Sequence, residues 1–295
     1  MAGSTLPRRA MGRVLRAMRM KAGKSQLAAA LAIDLSPQTI GRMEDGQPVK
    51  MSSPQMNALL EFYGADKAHR TIVMGLLLEA KKAKGNVSGG WWKAYADVVA
   101  GHFNHYMSLE DACSRMTMFE LTLIPGLFQT AAYRRSMILI SDPQMAPIDI
   151  DRRIELAERR QTKLSDSTFT MNVLLSEAAL RHRVGSRLVM KEQLLHLVEI
   201  GRLPNVSIRV IPLDVESHIG LVVQSFTMLE FPPLRASRLI DPPVVYIEEH
   251  LGALFLEDDA ALERYRTAAE DIRGVSLSEK DTMNLIKRIA EEYGE

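Results

Sequence analysis

The sequence predicts an α+β protein of two domains, a small all-helical one followed by a larger mixed one. Three observations carry that expectation. The first 84 residues hold five short runs with helical apolar spacing and no strand pattern. Strand-like apolar runs are confined to residues 169–256, with helical runs before and after them. Between the two lies Gly85-Asn86-Val87-Ser88-Gly89-Gly90, a turn-rich stretch that reads as a linker. The domains are therefore set at 7–84 and 91–295, with 85–90 joining them.

The first helix is read from Pro7 to Lys21, where Met11, Val14, Leu15 and Met18 share one face, and Gly23 stops it. Ser25 caps a second, Gln26 to Leu31. Ser36, with Pro37 at the first helical position, starts a third that runs through Ile40 and Met43 to Asp45-Gly46. Ser53-Pro54 opens a fourth that ends at Tyr63, and a fifth spans Asp66 to Lys84. In the second domain Trp91–Gly101, Met107–Met118, Leu127–Ile140 and Ile148–Leu164 read as helices. Phe169–Leu175 and Val206–Ile211 read as strands, with helices Glu177–His182 and Val189–Ile200 between them. Ser225–Phe231 and Val244–Glu249 are two further strands, and helices Ala260–Ile272 and Ser278–Glu292 follow.

At 295 residues, 46% hydrophobic and 25% charged, the composition is that of a globular chain and excludes a disordered polymer or a coiled-coil rod. Apolar runs of about 18 residues are lacking, so no membrane span is expected. The basic start, Met1 to Arg13, is not followed by a continuous apolar segment, so no secretory signal is expected. Cys113 is the single cysteine, which excludes an intramolecular disulfide and a multi-cysteine zinc site and fits a reducing cytoplasm.

The net charge of +1 hides an asymmetry: 14 Lys and Arg against 6 Asp and Glu up to Lys84, then 23 against 30. A basic block fused to an acidic one points to an anionic partner at the N-terminus. Ser25 to Gly46 narrows that partner to DNA. Two short helices meet at a tight turn, and the second is capped and polar on its outer face. Such a helix can enter a major groove N-terminus first while its predecessor crosses the phosphates. Ala28, Ala29 and Ala30 are small enough for close packing, while Ile33, Leu35, Ile40 and Met43 form the expected core.

From Arg8 to Tyr63 this pattern resembles the Xre/Cro/phage-repressor helix-turn-helix. The resemblance implies base-facing positions at Pro37, Gln38 and Arg42, with Thr39 beside them. Arg42 would pair with guanine and Gln38 with adenine. It implies a phosphate contact at Gln26 and a cap at Ser36 that also reaches phosphate. Lys24 supplies a further phosphate contact. It pairs Glu44 with Arg19 as a structural ion pair. Two departures stand out. Pro37 has no side-chain donor, and Asp34 occupies a turn position where glycine is common, which requires a left-handed conformation.

Several later segments resemble the WhiJ-like regulators of actinomycetes. They include Trp91-Trp92 with Tyr95, Ile124-Pro-Gly-Leu-Phe-Gln-Thr130 with Tyr133, Arg159-Arg160-Gln161, Ser176-Glu177-Ala-Ala-Leu180 and Val245-Tyr-Ile-Glu248. That family joins an Xre-type domain to a large domain of unknown function. The resemblance implies a regulator of development or specialised metabolism, antitoxin-like in some members, with a small acidic partner protein. A two-fold dimer on a palindromic operator is expected, because one reading head covers few base pairs. The second domain would then sense a ligand, bind the partner or dimerise. A competing reading makes the chain a protein-sequestering module whose DNA binding is autoregulatory.

Trp91, Trp92, Tyr95, Phe103, Tyr106 and Phe119 gather aromatics after the linker, as either a ligand pocket or core. His102 and His105 have helical i, i+3 spacing, but Glu110 is the one acid or cysteine near them, so no metal is expected. Glu248-Glu249-His250 reads as a solvated strand end. Nucleophile-elbow, dinucleotide and P-loop patterns are absent, so neither a cofactor nor an enzymatic activity is expected.

Overall fold

The computed structural model describes residues 6–85, 90–235 and 237–294, the side chains of 82–85 excepted. Residues 86–89, at the centre of the expected linker, lie outside the described residues. The chain divides into two compact units: Met1–Ala112 with Phe231–Pro242, and Cys113–Glu230 with Pro243–Glu295. The first unit thus extends past the expected boundary at 85–90 and also recruits a segment from much later in the chain.

In the first unit α1 (Leu6–Lys21), α2 (Gln26–Ala32), α3 (Pro37–Glu44), α4 (Ser53–Phe62) and α5 (Lys67–Gly85) form the expected five helices. Side-chain caps open the short ones. Ser25 Oγ accepts from the Ala28 amide, Ser36 Oγ from Thr39, and Ser52 forms a capping box with Gln55. The core is built on Leu15, Ile40, Met43, Met56, Leu59, Leu60 and Leu76, all buried. Leu35, expected there, is half-buried at the turn. Asp34 holds that turn with a φ of 56°, the left-handed conformation its position requires. Gly12 lets α1 approach the end of α3: a Cβ there would lie 2.5 Å from the carbonyl oxygens of Met43 and Glu44.

Only a short 3₁₀ turn, Trp91–Tyr95, forms where a helix to Gly101 is expected; α6 (Phe103–Ala112) follows it. The segment Phe231–Pro242 completes this unit at α1. Asp241, whose side chain is 0% exposed, pairs with Arg9 (Nε to Oδ2, 3.0 Å) and with Arg13. Arg9 also stands over the ring of Phe231, 5.5 Å from its centroid.

The second unit is a six-stranded sheet with helices. Its elements are β1 (Arg115–Glu120), α7 (Ala131–Ser141), α8 (Pro147–Gln161), β2 (Thr170–Ser176), α9 (Glu177–Arg181), α10 (Arg187–Ile200), β3 (Val206–Ile211), β4 (Phe226–Glu230), β5 (Val244–Glu249), β6 (Gly252–Leu256), α11 (Asp259–Val275) and α12 (Glu279–Glu292). Strand order is β3-β2-β1-β4-β5-β6. The pairs β1–β2 and β2–β3 are parallel and the rest antiparallel. Parallel neighbours need crossovers, which the intervening helices supply. Phe119, Leu174, Phe226, Val245 and Ile272 form the core between sheet and α11. The buried Thr282 ties α12 to β3, its hydroxyl accepting from the Val210 amide at 3.0 Å.

The expected helix Met107–Met118 is thereby corrected. The helix ends at Ala112, and residues 115–120 become β1, paired on both sides within the sheet. Methionine favours helices locally, but the alternation Met116, Met118 against Arg115, Thr117 fits a strand once both neighbours are in place.

Candidate nucleic-acid interface

The α2–turn–α3 pair presents its polar face as the motif requires. Ser36, Gln38 and Arg42 are exposed, and Pro37 and Thr39 are half-buried. Ser36 binds Thr39 twice, accepting from its amide at 3.2 Å and sharing a hydroxyl contact of 2.9 Å. The Thr39 hydroxyl is therefore already oriented along the helix start. Arg42 is steadied from the next loop: Nε donates to Gln47 Oε1 at 3.3 Å and Nη2 to the Pro48 carbonyl at 3.1 Å. A guanidinium carries five N–H donors, so this anchoring does not use them all.

Beneath that face a buried carboxylate holds three elements together. Glu44 accepts from Arg19 at 2.6 and 2.9 Å, a bidentate pair joining α1 to α3. Its Oε2 also accepts from Gln26 Nε2 at 3.0 Å, which adds α2. The Arg19–Glu44 contact expected from the resemblance is present. Gln26 has a structural task that the resemblance did not indicate: one N–H of its amide serves Glu44. Arg19 reaches the Lys24 carbonyl as well, at 2.9 Å. Lys24 Nζ sits 4.9 Å from the Phe62 ring centroid. Close by, burial first and the Glu44 charge second push the Tyr63 hydroxyl well above its ordinary range, with Arg19 acting in the opposite direction.

The six aromatics are divided between the two units. Trp92, Tyr95 and Tyr106 are buried in the first unit, with Trp91 edge-on to Trp92 and Phe103 stacked on Tyr106. Phe119 belongs to the sheet core of the second unit, 6.0 Å from Phe226. β1 carries Phe119 into that sheet, while the buried Trp92, Tyr95 and Tyr106 take the core alternative in the first unit. His102 and His105 also part in character. His105 is buried, and burial followed by the nearby Arg9 charge pushes its imidazole down to about 4. Among the described residues no group of three or more His, Cys, Asp or Glu is placed to hold a metal ion, and no helix is long and apolar enough to cross a membrane.

In the second unit the Ile124–Thr130 run is a loop held by amides. Gln193 accepts from the Thr130 amide and donates to the Phe128 carbonyl, both at 2.7 Å. Gln129 donates to the Ile124 carbonyl at 2.7 Å, and Gln161 to the Gln129 carbonyl at 2.6 Å. Sequence reading missed Gln193. The signal available was a lone amide on the apolar face of Met190, Leu194 and Leu197.

A second feature of this unit gives a pH-dependent expectation. Glu120 closes β1 beside Ser225, with Glu248 near. Burial, against the smaller effect of the Ser225 hydrogen bond and with help from Glu248, raises its carboxyl to about 7. The folded state then binds more protons than the unfolded one between the ordinary value of 4.5 and about 7. Stability contributed below that window is lost as pH rises through it. Glu120→Gln is expected to abolish roughly 1–3 kcal/mol of that loss, seen as urea midpoints that converge with wild type at pH 4.5 and exceed it at pH 8. Parallel midpoints for both proteins would contradict it.

Two family models match the chain. One described as a helix-turn-helix domain covers residues 10–71. One described as a domain of unknown function, DUF5753, covers residues 103–288, more than half of the chain. The chain belongs to the DUF5753 family. Neither a curated protein nor a solved structure matches it. The DUF5753 region opens at α6 and includes the whole sheet, Asp241 and the glutamine-held loop. The helix-turn-helix match ends within α5 and includes every residue of the Arg19–Glu44–Gln26 network.

Proposed function

We propose that this DUF5753 protein is a sequence-specific DNA-binding transcription regulator. The observation that carries the reading is α3 itself: a Ser36-capped helix with Gln38 and Arg42 exposed on its outer face, fixed to α1 and α2 through Glu44. Gln38 and Arg42 would read base edges in the major groove. Lys24, Gln26 and Ser36 would hold phosphates and make affinity fall with salt. The resemblance to WhiJ-like regulators supports a homodimer on a palindrome, acting in the cytoplasm of an actinomycete, in control of development or specialised metabolism. The reading assigns the second unit ligand or partner sensing and no catalysis.

Selection of genome fragments by the full-length protein at stated salt tests this. A palindromic site is expected, and Arg42→Ala should weaken it by about 1–3 kcal/mol while relaxing preference at one base pair. Equal loss on random DNA, or sequence-blind binding by the wild type, would overturn base reading.

One observation favours the partner-sequestering reading. Leu27 and Leu31 lie on one face of α2 and are 57% and 74% exposed. In that reading α2 docks a protein, and a Leu27→Lys variant loses the partner while keeping its operator.

A further inference from the structure

Behind the recognition helix the first unit carries a cleft of about 380 Å³, within the range of small-molecule sites. It opens between α1, the α3–α4 loop and α5. Its apolar lining comes from the buried Met11, Met51 and Leu77. Its charged lining is Arg8, Lys50 and Lys81, and no carboxylate lines it among the described residues. Arg8 is partly desolvated there, which pulls its guanidinium below its ordinary value. An apolar wall with three cations fits a ligand with an apolar body and one negative head.

The cleft also touches the reading face. Gln47 lines it, and the same side chain accepts from Arg42 Nε at 3.3 Å. The Pro48 carbonyl, which holds Arg42 Nη2, is the next residue of the loop. A carboxylate that engages the Gln47 amide, or shifts residues 47–51, changes how Arg42 is held.

We propose that this cleft binds a small carboxylic acid with an apolar body, and that its occupancy alters base reading through Gln47 and Arg42. The second half rests on the DNA-binding reading above; the first half does not. Free phosphate lacks the apolar body, and an uncharged alcohol lacks the head, so each probes half of the recognition.

Calorimetric titration of the full-length protein with octanoate, 1-octanol and inorganic phosphate tests the site. Octanoate is expected to bind one-to-one, with 1-octanol and phosphate each about tenfold weaker or more. Lys81→Glu reverses a surface cation, and Val49→Trp fills the cleft from its half-buried loop position. Each should weaken octanoate by about tenfold with an unchanged melting temperature. Octanoate binding that is unaffected by both variants, matched by 1-octanol, or undetectable would overturn the site.

Coupling is read separately, on the selected operator. Octanoate should shift operator affinity for the wild type and not for Lys81→Glu, and operator should shift octanoate affinity by the same factor. Octanoate that binds without moving operator affinity overturns the coupling and leaves the site standing. Failure to select any operator also overturns the coupling, together with the DNA-binding reading, while the calorimetry still decides the site.

Discussion

Replacing Asp241 by alanine is expected to destabilise the helix-turn-helix unit by about 3–5 kcal/mol, the usual result of removing one partner from a buried ion pair. The side chain is fully buried and faces two arginines of α1. Arg13 is 36% exposed and can turn to water, but Arg9 is 5% exposed and would keep its charge inside. The cost is therefore mainly that of the buried Arg9 losing this carboxylate. Urea unfolding followed by near-ultraviolet signals of the first unit measures the effect. Replacing both members, as in Arg9→Met with Asp241→Leu, removes the charges together and should recover most of the loss, because a matched apolar pair often equals a buried ion pair. A double variant as unstable as the sum of its singles would mean the segment 231–242 is held by something else.

Glu44→Ala carries the second large effect, again about 3–5 kcal/mol. The carboxylate side chain is 1% exposed and accepts three hydrogen bonds from two helices. Its loss leaves Arg19 half inside and the Gln26 amide without its partner. Glu44→Gln keeps the shape and an acceptor oxygen, so its cost should be smaller, about 1–3 kcal/mol. Because Glu44 faces inward, the operator consensus should survive in molecules that remain folded. An altered consensus with unchanged melting would move Glu44 from scaffold to reading residue.

Much of the first unit was legible because its signals are local. Serine caps, the proline after Ser36 and the strained position of Asp34 each act within four residues. The second unit was legible in its class and in four strands. Its β1 was not, because Met116 and Met118 suit a helix until β2 and β4 lie beside them. β6 was missed for a related reason: Gly252-Ala-Leu-Phe-Leu256 lacks alternation and is half-exposed at the sheet edge. Nothing near Asp241 in sequence announces its partners, which lie 228 and 232 positions earlier. Gln193 is the intermediate case, an amide out of place on an apolar face whose partners are 63 and 65 residues away. Long-range polar pairing is set by topology, and a sequence read by periodicity does not contain it.

The recruitment of residues 231–242 also has a consequence for biosynthesis. The five N-terminal helices leave the ribosome early, yet Asp241, which pairs with Arg9, is encoded after β4. At about 5–20 residues per second, the wait from Ala112 to Asp241 is on the order of ten seconds. Through that interval the nascent reading head carries its α1 arginines without Asp241. A polypeptide terminated anywhere before that aspartate would never acquire it. The anchoring of α1 by this segment is thereby deferred until most of the DUF5753 region has been translated.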